Sequence, residues 1–112
     1  MAKHKDLIIF QKADRLAHKV YQITRVFPKS ELYGLTSQLR RAAISVSANI
    51  VEGYARSSKK ELKRFLDISL GSLAETEYLV AFSRELGYHD NLEVNSMIDE
   101  TGKVLWSFYR RL

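Results

Sequence analysis

The sequence predicts an all-α fold: a single-domain, antiparallel, up-down-up-down four-helix bundle. Three observations carry that prediction. Apolar residues recur at three- and four-residue spacing through nearly the whole chain, and no run looks like a strand. The breaks are few and well placed: Pro28, the only proline, then Tyr33-Gly34, Ser57-Ser58 and Gly87-Tyr88. The length of 112 residues, with 46% hydrophobic content, suits one core and makes a single domain the default. Short connections make consecutive helices antiparallel. Within a domain spanning 1–112, the helices are expected at about 6–27, 35–55, 59–86 and 91–111. No internal repeat or low-complexity segment interrupts them.

Helix one places Ile9, Phe10, Ala13, Leu16, Ala17, Val20, Ile23 and Phe27 on one broad face. Asp6 is its expected N-cap, and Pro28 ends it, because the residue before a proline is pushed out of the α region. Lys12, Arg15 and Lys19 line up at i, i+3, i+7 and are expected on the opposite, outer side.

Helix two is the central element. Leu39, Ala43, Val46 and Ile50 fall within about 40° of one another and form a core stripe. A second apolar strip, Ile44, Ala48, Val51 and Ala55, lies about 140° away. A helix with two apolar strips must bury both, inside its own subunit or against another. The second strip is therefore a candidate oligomer interface.

Helix three opens on a capping box, Ser58 with Glu61. Leu62, Leu66, Ser69, Leu73, Thr76 and Val80 make one stripe. Phe65, Ile68, Ser72, Leu79, Phe82 and Leu86 make an adjoining one, with Glu75 among them. Gly87 is the expected C-cap. Gly71, mid-helix, is expected roughly level with Trp106, as a small residue facing the only tryptophan or a second subunit. Helix four turns Val94, Met97, Ile98, Thr101, Leu105, Phe108 and Leu112 inward.

The polar residues inside this pattern predict a structural network of Arg40, Arg41, Asn49, Glu52 and Glu75. A charge at Glu75 needs a partner. Folding helices two and three about Ser57 brings Arg40 and Arg41 near it, so an ion pair is expected, within or between subunits. Asn49 and Glu52 are expected to face the first turn of helix three, where backbone N–H groups are free. No catalytic constellation emerges. His4, His18 and His89 fall on a tail, a helix face and a loop. The Glu-x-x-His pairs of di-iron bundles are missing, and no glycine-rich loop is present to cradle a phosphate. The sequence thus predicts no enzyme, no cofactor and no metal.

Composition bounds the setting. With no cysteine there are no disulfides or thiolate metal sites. No apolar run approaches the roughly 20 residues needed to span a membrane. The first residues lack the pattern of a signal peptide. A cytoplasmic protein is expected. The net charge is +5, distributed as +5 over residues 1–30, +1 over 31–56, zero over 57–89 and −1 over 90–112. Such basic charge serves solubility or attracts acidic partners such as nucleic acid. The candidate nucleic-acid contacts are Lys12, Arg15 and Lys19 on helix one, with Lys59, Lys60, Lys63 and Arg64 at one tip of the bundle.

An ordered series of motifs resembles a known family. It runs through Gln11-Lys12-Ala13, Phe27-Pro28, Tyr33-Gly34-Leu35 and Gln38-Leu39-Arg40-Arg41-Ala42-Ala43. It continues through Ser45-Val46-Ser47-Ala48-Asn49-Ile50-Val51-Glu52-Gly53, Arg56-x-Ser58-x-x-Glu61, Phe65-Leu66, Gly71-Ser72-Leu73-x-Glu75 and Leu86-Gly87-Tyr88. The series is similar to the bacterial four-helix-bundle proteins encoded in intervening sequences of 23S ribosomal RNA genes. Phe10, Ser47 and Leu62 depart from the family pattern by core-type exchanges. The resemblance implies a cytoplasmic bundle that assembles as a homopentamer, with no assigned enzymatic activity. RNA or other nucleic acid is the implied ligand. A related member, the accessory protein of diversity-generating retroelements, implies an alternative role: a scaffold or accessory subunit for a protein partner such as a reverse transcriptase.

Overall fold

The computed structural model describes residues 3–112, without the side chains of Lys3 and Asp6. Four helices follow one another: α1 (Ile8–Thr24), α2 (Leu35–Ala55), α3 (Lys59–Glu85) and α4 (Glu93–Tyr109). Single 3-10 turns, Lys3–Asp6 and Lys29–Glu31, precede α1 and α2. No strand occurs among the described residues. Helix α1 packs on α2 and α4, α3 packs on the same two, and the diagonal pairs stay apart. That is the square up-down-up-down bundle. Its dimensions are 43 × 24 × 20 Å, and the long one matches the 27 residues of α3 at about 1.5 Å each.

Leu39, Ala43, Val46 and Ile50 are fully buried and form the α2 side of the core. They meet Leu16 and Val20 of α1, Leu66 and Val80 of α3, and Val94 and Leu105 of α4. The α2–α3 seam is the most extensive in the molecule. Small residues allow it. A Cβ added to Gly53 would lie 3.0 Å from Leu62 Cδ1 and 3.1 Å from Phe65 Cβ. Across the same seam the Ser69 hydroxyl donates to the Val46 carbonyl at 2.6 Å, and the Ser45 and Ser72 hydroxyls share a hydrogen bond at 2.7 Å. Arg40 joins α2 to α1: its Nε donates to Thr24 Oγ1 at 2.8 Å while its guanidinium covers the Tyr21 ring at 4.6 Å.

The helix ends refine the expectations. Helix α1 stops at Thr24, earlier than 27, because Arg25 and Phe27 close a turn onto Gln22 and Thr24 before the extended backbone that Pro28 requires. The Phe27 side chain still reaches the core, against Tyr88 and His89. Leu7 occupies the N-cap position of α1 with no side-chain cap; the side chain of Asp6, the expected cap, lies outside the described residues. Ser58 does cap α3, accepting from the Glu61 N–H at 3.1 Å. The reciprocal half of the box is absent, since the Glu61 carboxylate accepts two hydrogen bonds from Arg64 instead. Gly87, at φ 82°, closes α3 as expected: its N–H donates to Arg84 O and that of Tyr88 to Ser83 O, the Schellman pattern. Helix α4 starts at Glu93, after Asn91, whose side chain stays outside it and accepts from the Val94 N–H at 2.9 Å. Gly71 is not packed under Trp106. A Cβ there would meet nothing within 4 Å, and the glycine beneath Leu73 is Gly102, at 3.3 Å.

Candidate nucleic-acid interface

Antiparallel packing brings the turn between α2 and α3 to the same end of the bundle as the last turns of α4. The Arg56 and Arg64 guanidiniums cover the Phe65 ring at 5.1 and 4.5 Å. The Lys63 ammonium reaches the Tyr109 ring of α4 at 5.1 Å. Beneath them Tyr54 meets Phe108 edge-on, and burial pushes the Tyr54 phenol up to about 12.

Residues 52–67 and 103–112 together hold eight Lys/Arg against three Asp/Glu. That is a surplus of five positive charges, and the start of α1, with Lys5 and Lys12, lies at the same end. Consecutive windows along the chain conceal it. The zero balance over residues 57–89 arises because Glu75, Glu77 and Glu85 sit far along a helix about 40 Å long.

Only part of this charge is neutralised locally. Arg56 pairs with Glu52 at 2.6 Å and Arg64 with Glu61 at 3.3 Å. Lys59, Lys60, Lys103 and Arg110 are exposed and make no ion pair among the described residues. The Glu61 carboxyl reports the local field. It is held below the usual carboxylate range by the Arg64 hydrogen bond, then by the charges of Arg64, Arg56 and Lys60. Lys103 and Arg110 are not among the cations expected from the sequence, because their window sums to −1.

Two of the three helix-one cations, Lys12 and Lys19, are not on a free outer face. Lys12 pairs with Glu100 at 2.8 Å and Lys19 with Glu93 at 2.6 Å, both across the α1–α4 seam. Only 22% and 15% of the two lysine side chains remain exposed. On a helical projection they stand about 80–100° from the middle of the buried stripe of α1, at its flank, where α4 reaches them. The Glu100 carboxyl is lowered by the Lys12 hydrogen bond and then by its charge. Arg15, between the two lysines, stays exposed.

The expected pairing of Glu75 with Arg40 or Arg41 does not form within the chain. Glu75 is exposed and makes no ion pair among the described residues. Arg40 is occupied by Thr24 and Tyr21, and Arg41 is exposed. The cause is incomplete cover of the second stripe of α3: Phe65 and Leu79 are buried, but Ile68, Phe82 and Leu86 reach solvent around Glu75. Asn49 does not cap α3. It donates to the carbonyl and hydroxyl of Ser45, which in turn bonds Ser72. Glu52 is held by Arg56.

The second strip of α2 lies outside the subunit core. Ile44 is 43% exposed, Ala48 and Ala55 are exposed, and Val51 is half-buried. Ile44 and Ser47 border a surface groove of about 400 Å³ whose other wall is Ala17, His18 and Tyr21 of α1.

The remaining chemistry is sparse. His4 packs against Phe10, His18 lies beside the Asp14 carbonyl, and His89 bridges Val80 O and the Asn91 N–H in the α3–α4 turn. Among the described residues, no group of three or more His, Asp or Glu is placed to hold a metal ion. No described helix is long and apolar enough to cross a membrane.

Fold and surface together define a small all-helical bundle with one strongly basic end. The chain belongs to the family of 23S rRNA-intervening sequence proteins, whose profile matches residues 5–107. The match extends the resemblance seen in the sequence into α4. The fold is shared with a protein of unknown function from the S23 ribosomal protein family of Bacteroides thetaiotaomicron. That structure has a TM-score of 0.80 and 22% identity, over 91% of this chain and 98% of that one. A likeness at that identity shows the fold alone. No curated protein matches the chain.

Proposed function

We propose that the protein is a non-enzymatic, self-associating helical bundle of the cytoplasm that binds nucleic acid by its phosphates. The observation that carries this reading is the surplus of positive charge that residues 52–67 and 103–112 bring together at one end of the bundle. Lys59, Lys60, Lys63 and Arg64 are the main contacts, joined by Lys103 and Arg110. Lys12 and Lys19 are already neutralised by Glu100 and Glu93 and act as seam residues; Arg15 alone of that trio is free to reach a phosphate. Self-association is supported by the solvent-facing strip Ile44, Ala48, Val51 and Ala55, and the count of five copies follows from the family resemblance. Assembly multiplies the basic ends per particle, which raises avidity without any change within a single subunit. No recognition-helix motif is present, so base-specific reading is not part of the proposal.

A second reading rests on the same apolar strip: a scaffold that docks a protein partner, such as a reverse transcriptase, with the charge serving solubility. Fluorescence anisotropy with structured and single-stranded RNA at two salt concentrations separates the two. Charge reversal at Lys59, Lys60, Lys63 and Arg64 should weaken binding uniformly across sequences. It should also flatten the log–log salt slope by about 0.7 for each phosphate no longer neutralised on a single strand. Reversal at Lys12 and Lys19 should cost stability rather than affinity. Absence of binding at low salt, or binding indifferent to reversals at the basic end, would leave the scaffold reading.

A further inference from the structure

Trp106 is the chain's only tryptophan, and 53% of its surface is in solvent. Its ring stacks on Tyr109, with centroids 5.6 Å apart and planes 25° from parallel. Tyr109 is covered in turn by the Lys63 ammonium of α3. Lys103, Trp106 and Arg110 follow one another at i, i+3, i+7, so they share one face of α4, and all three are exposed. The stripe is about 10 Å long. Glu100, one turn before Lys103, is paired with Lys12 and also feels the Lys103 charge; Asp99 and Asp67 are exposed, and none of the three forms an ion pair with the stripe.

A broad aromatic plane thus stands between two cations that make no ion pair among the described residues, at the basic end of the bundle. Tyr109 supports it from one side, so little side-chain freedom is left to lose on binding. Bases offer a π-face to such a platform while flanking cations take the adjoining phosphates. In a duplex those faces are already occupied by neighbouring base pairs. We infer that Trp106 is a base-stacking platform for single-stranded nucleic acid, with Lys103, Arg110 and Lys63 holding the phosphates on either side. The inference rests on the nucleic-acid reading above and names the form of nucleic acid that the basic end accepts. A protein partner anchored on the indole is the competing occupant.

The lone tryptophan makes the test direct: its fluorescence reports on the platform, while the anisotropy of a dye on the strand reads affinity in every variant, with or without the indole. The full chain is titrated at low salt with short oligouridine and oligothymidine, an abasic strand of the same length, and a duplex. Base-bearing single strands should quench the tryptophan and bind about 5- to 100-fold more tightly than the abasic strand. The duplex should not quench it. Trp106→Ala should reduce the affinity for base-bearing strands to that for the abasic one, with an unchanged salt slope. Trp106→Phe should recover part of the loss, whereas Lys103→Glu and Arg110→Glu should each flatten the slope by about 0.7. Equal binding of abasic and base-bearing strands, or full affinity in Trp106→Ala, overturns the platform while leaving phosphate binding standing. The indole would then be an anchor for a protein. Failure of every strand to bind overturns the platform and the nucleic-acid reading together.

Discussion

Gly53 and Gly71 both lie inside helices, where glycine is about 1 kcal/mol less favourable than alanine, yet their surroundings differ. At Gly53 the α2 backbone lies close against α3. A methyl group there would press on Phe65 Cβ, which cannot withdraw unless the α3 backbone moves. Overpacking of that kind typically costs about 1–3 kcal/mol, more than the gain in helix propensity. Gly53→Ala should therefore lower the melting temperature, and an unchanged or raised value would show that Leu62 rotates away and the α3 backbone yields at Phe65. At Gly71 the added methyl meets nothing within 4 Å. Gly71→Ala should stabilise the subunit by up to about 1 kcal/mol, roughly 4 °C in melting temperature. A loss of assembly in that variant would instead place Gly71 beneath a second copy.

At the scale of elements, each seam has its own chemistry and its own response. The α1–α4 seam carries Lys12–Glu100 and Lys19–Glu93. Because the Lys12 hydrogen bond lowers the Glu100 carboxyl, its contribution to stability is full above the unfolded carboxylate range and is lost as pH falls through the folded one. Glu61, lowered by Arg64, acts in the same sense. The melting temperature should fall with acidification below about pH 5, and Glu100→Gln should blunt part of that fall; equal acid sensitivity in the variant would show the pair to be inert. At the other extreme, burial of Tyr54 raises its phenol from 10.0 to about 12, so stability should decline as pH rises above 10. The outer strip of α2 responds differently. Ile44 is 43% exposed in the subunit, so Ile44→Asp should leave the circular-dichroism melt nearly intact while abolishing assembly in light scattering. Unfolding of that variant would place Ile44 in the subunit core. These responses also mark what the sequence can disclose. The bounds of α2 are legible because its stop signals, Gly34 and the Arg56-Ser57-Ser58 turn, are local. The neutralisation of Lys12 and Lys19 is not, since it depends on which flank α4 covers. Nor is the exposure of Glu75, since it depends on how far α2 shields α3. The basic end is hidden in the sequence because long antiparallel helices carry neighbouring charges to opposite ends and distant ones together. The platform at Trp106 is hidden for the same reason. Its spacing with Lys103 and Arg110 is visible in the sequence, but the charge around it is not.

For the molecule as a whole, the charge distribution sets opposite salt dependences on its two proposed associations. Residues 52–67 and 103–112 give one end of the bundle a surplus of five positive charges. A closed cyclic assembly built with every subunit in the same orientation places these ends on one rim. The rim then opposes assembly through like-charge repulsion, while the apolar strip Ile44, Ala48, Val51 and Ala55 favours it. Salt screens the repulsion, over a Debye length of about 10 Å at 0.1 M, and leaves the apolar contribution in place. Added salt should therefore strengthen self-association while it weakens phosphate binding. A bound polyanion neutralises the same rim, so nucleic acid should also promote assembly at low salt, because a ligand that binds the assembled state more tightly draws the equilibrium towards it. Light scattering across a salt series, with and without a short RNA, tests both consequences. An oligomer that loosens as salt rises would show that its interface is held by ion pairs between subunits. Arg41 and Glu75, both exposed and without ion pairs among the described residues, would then be the first pair to reverse.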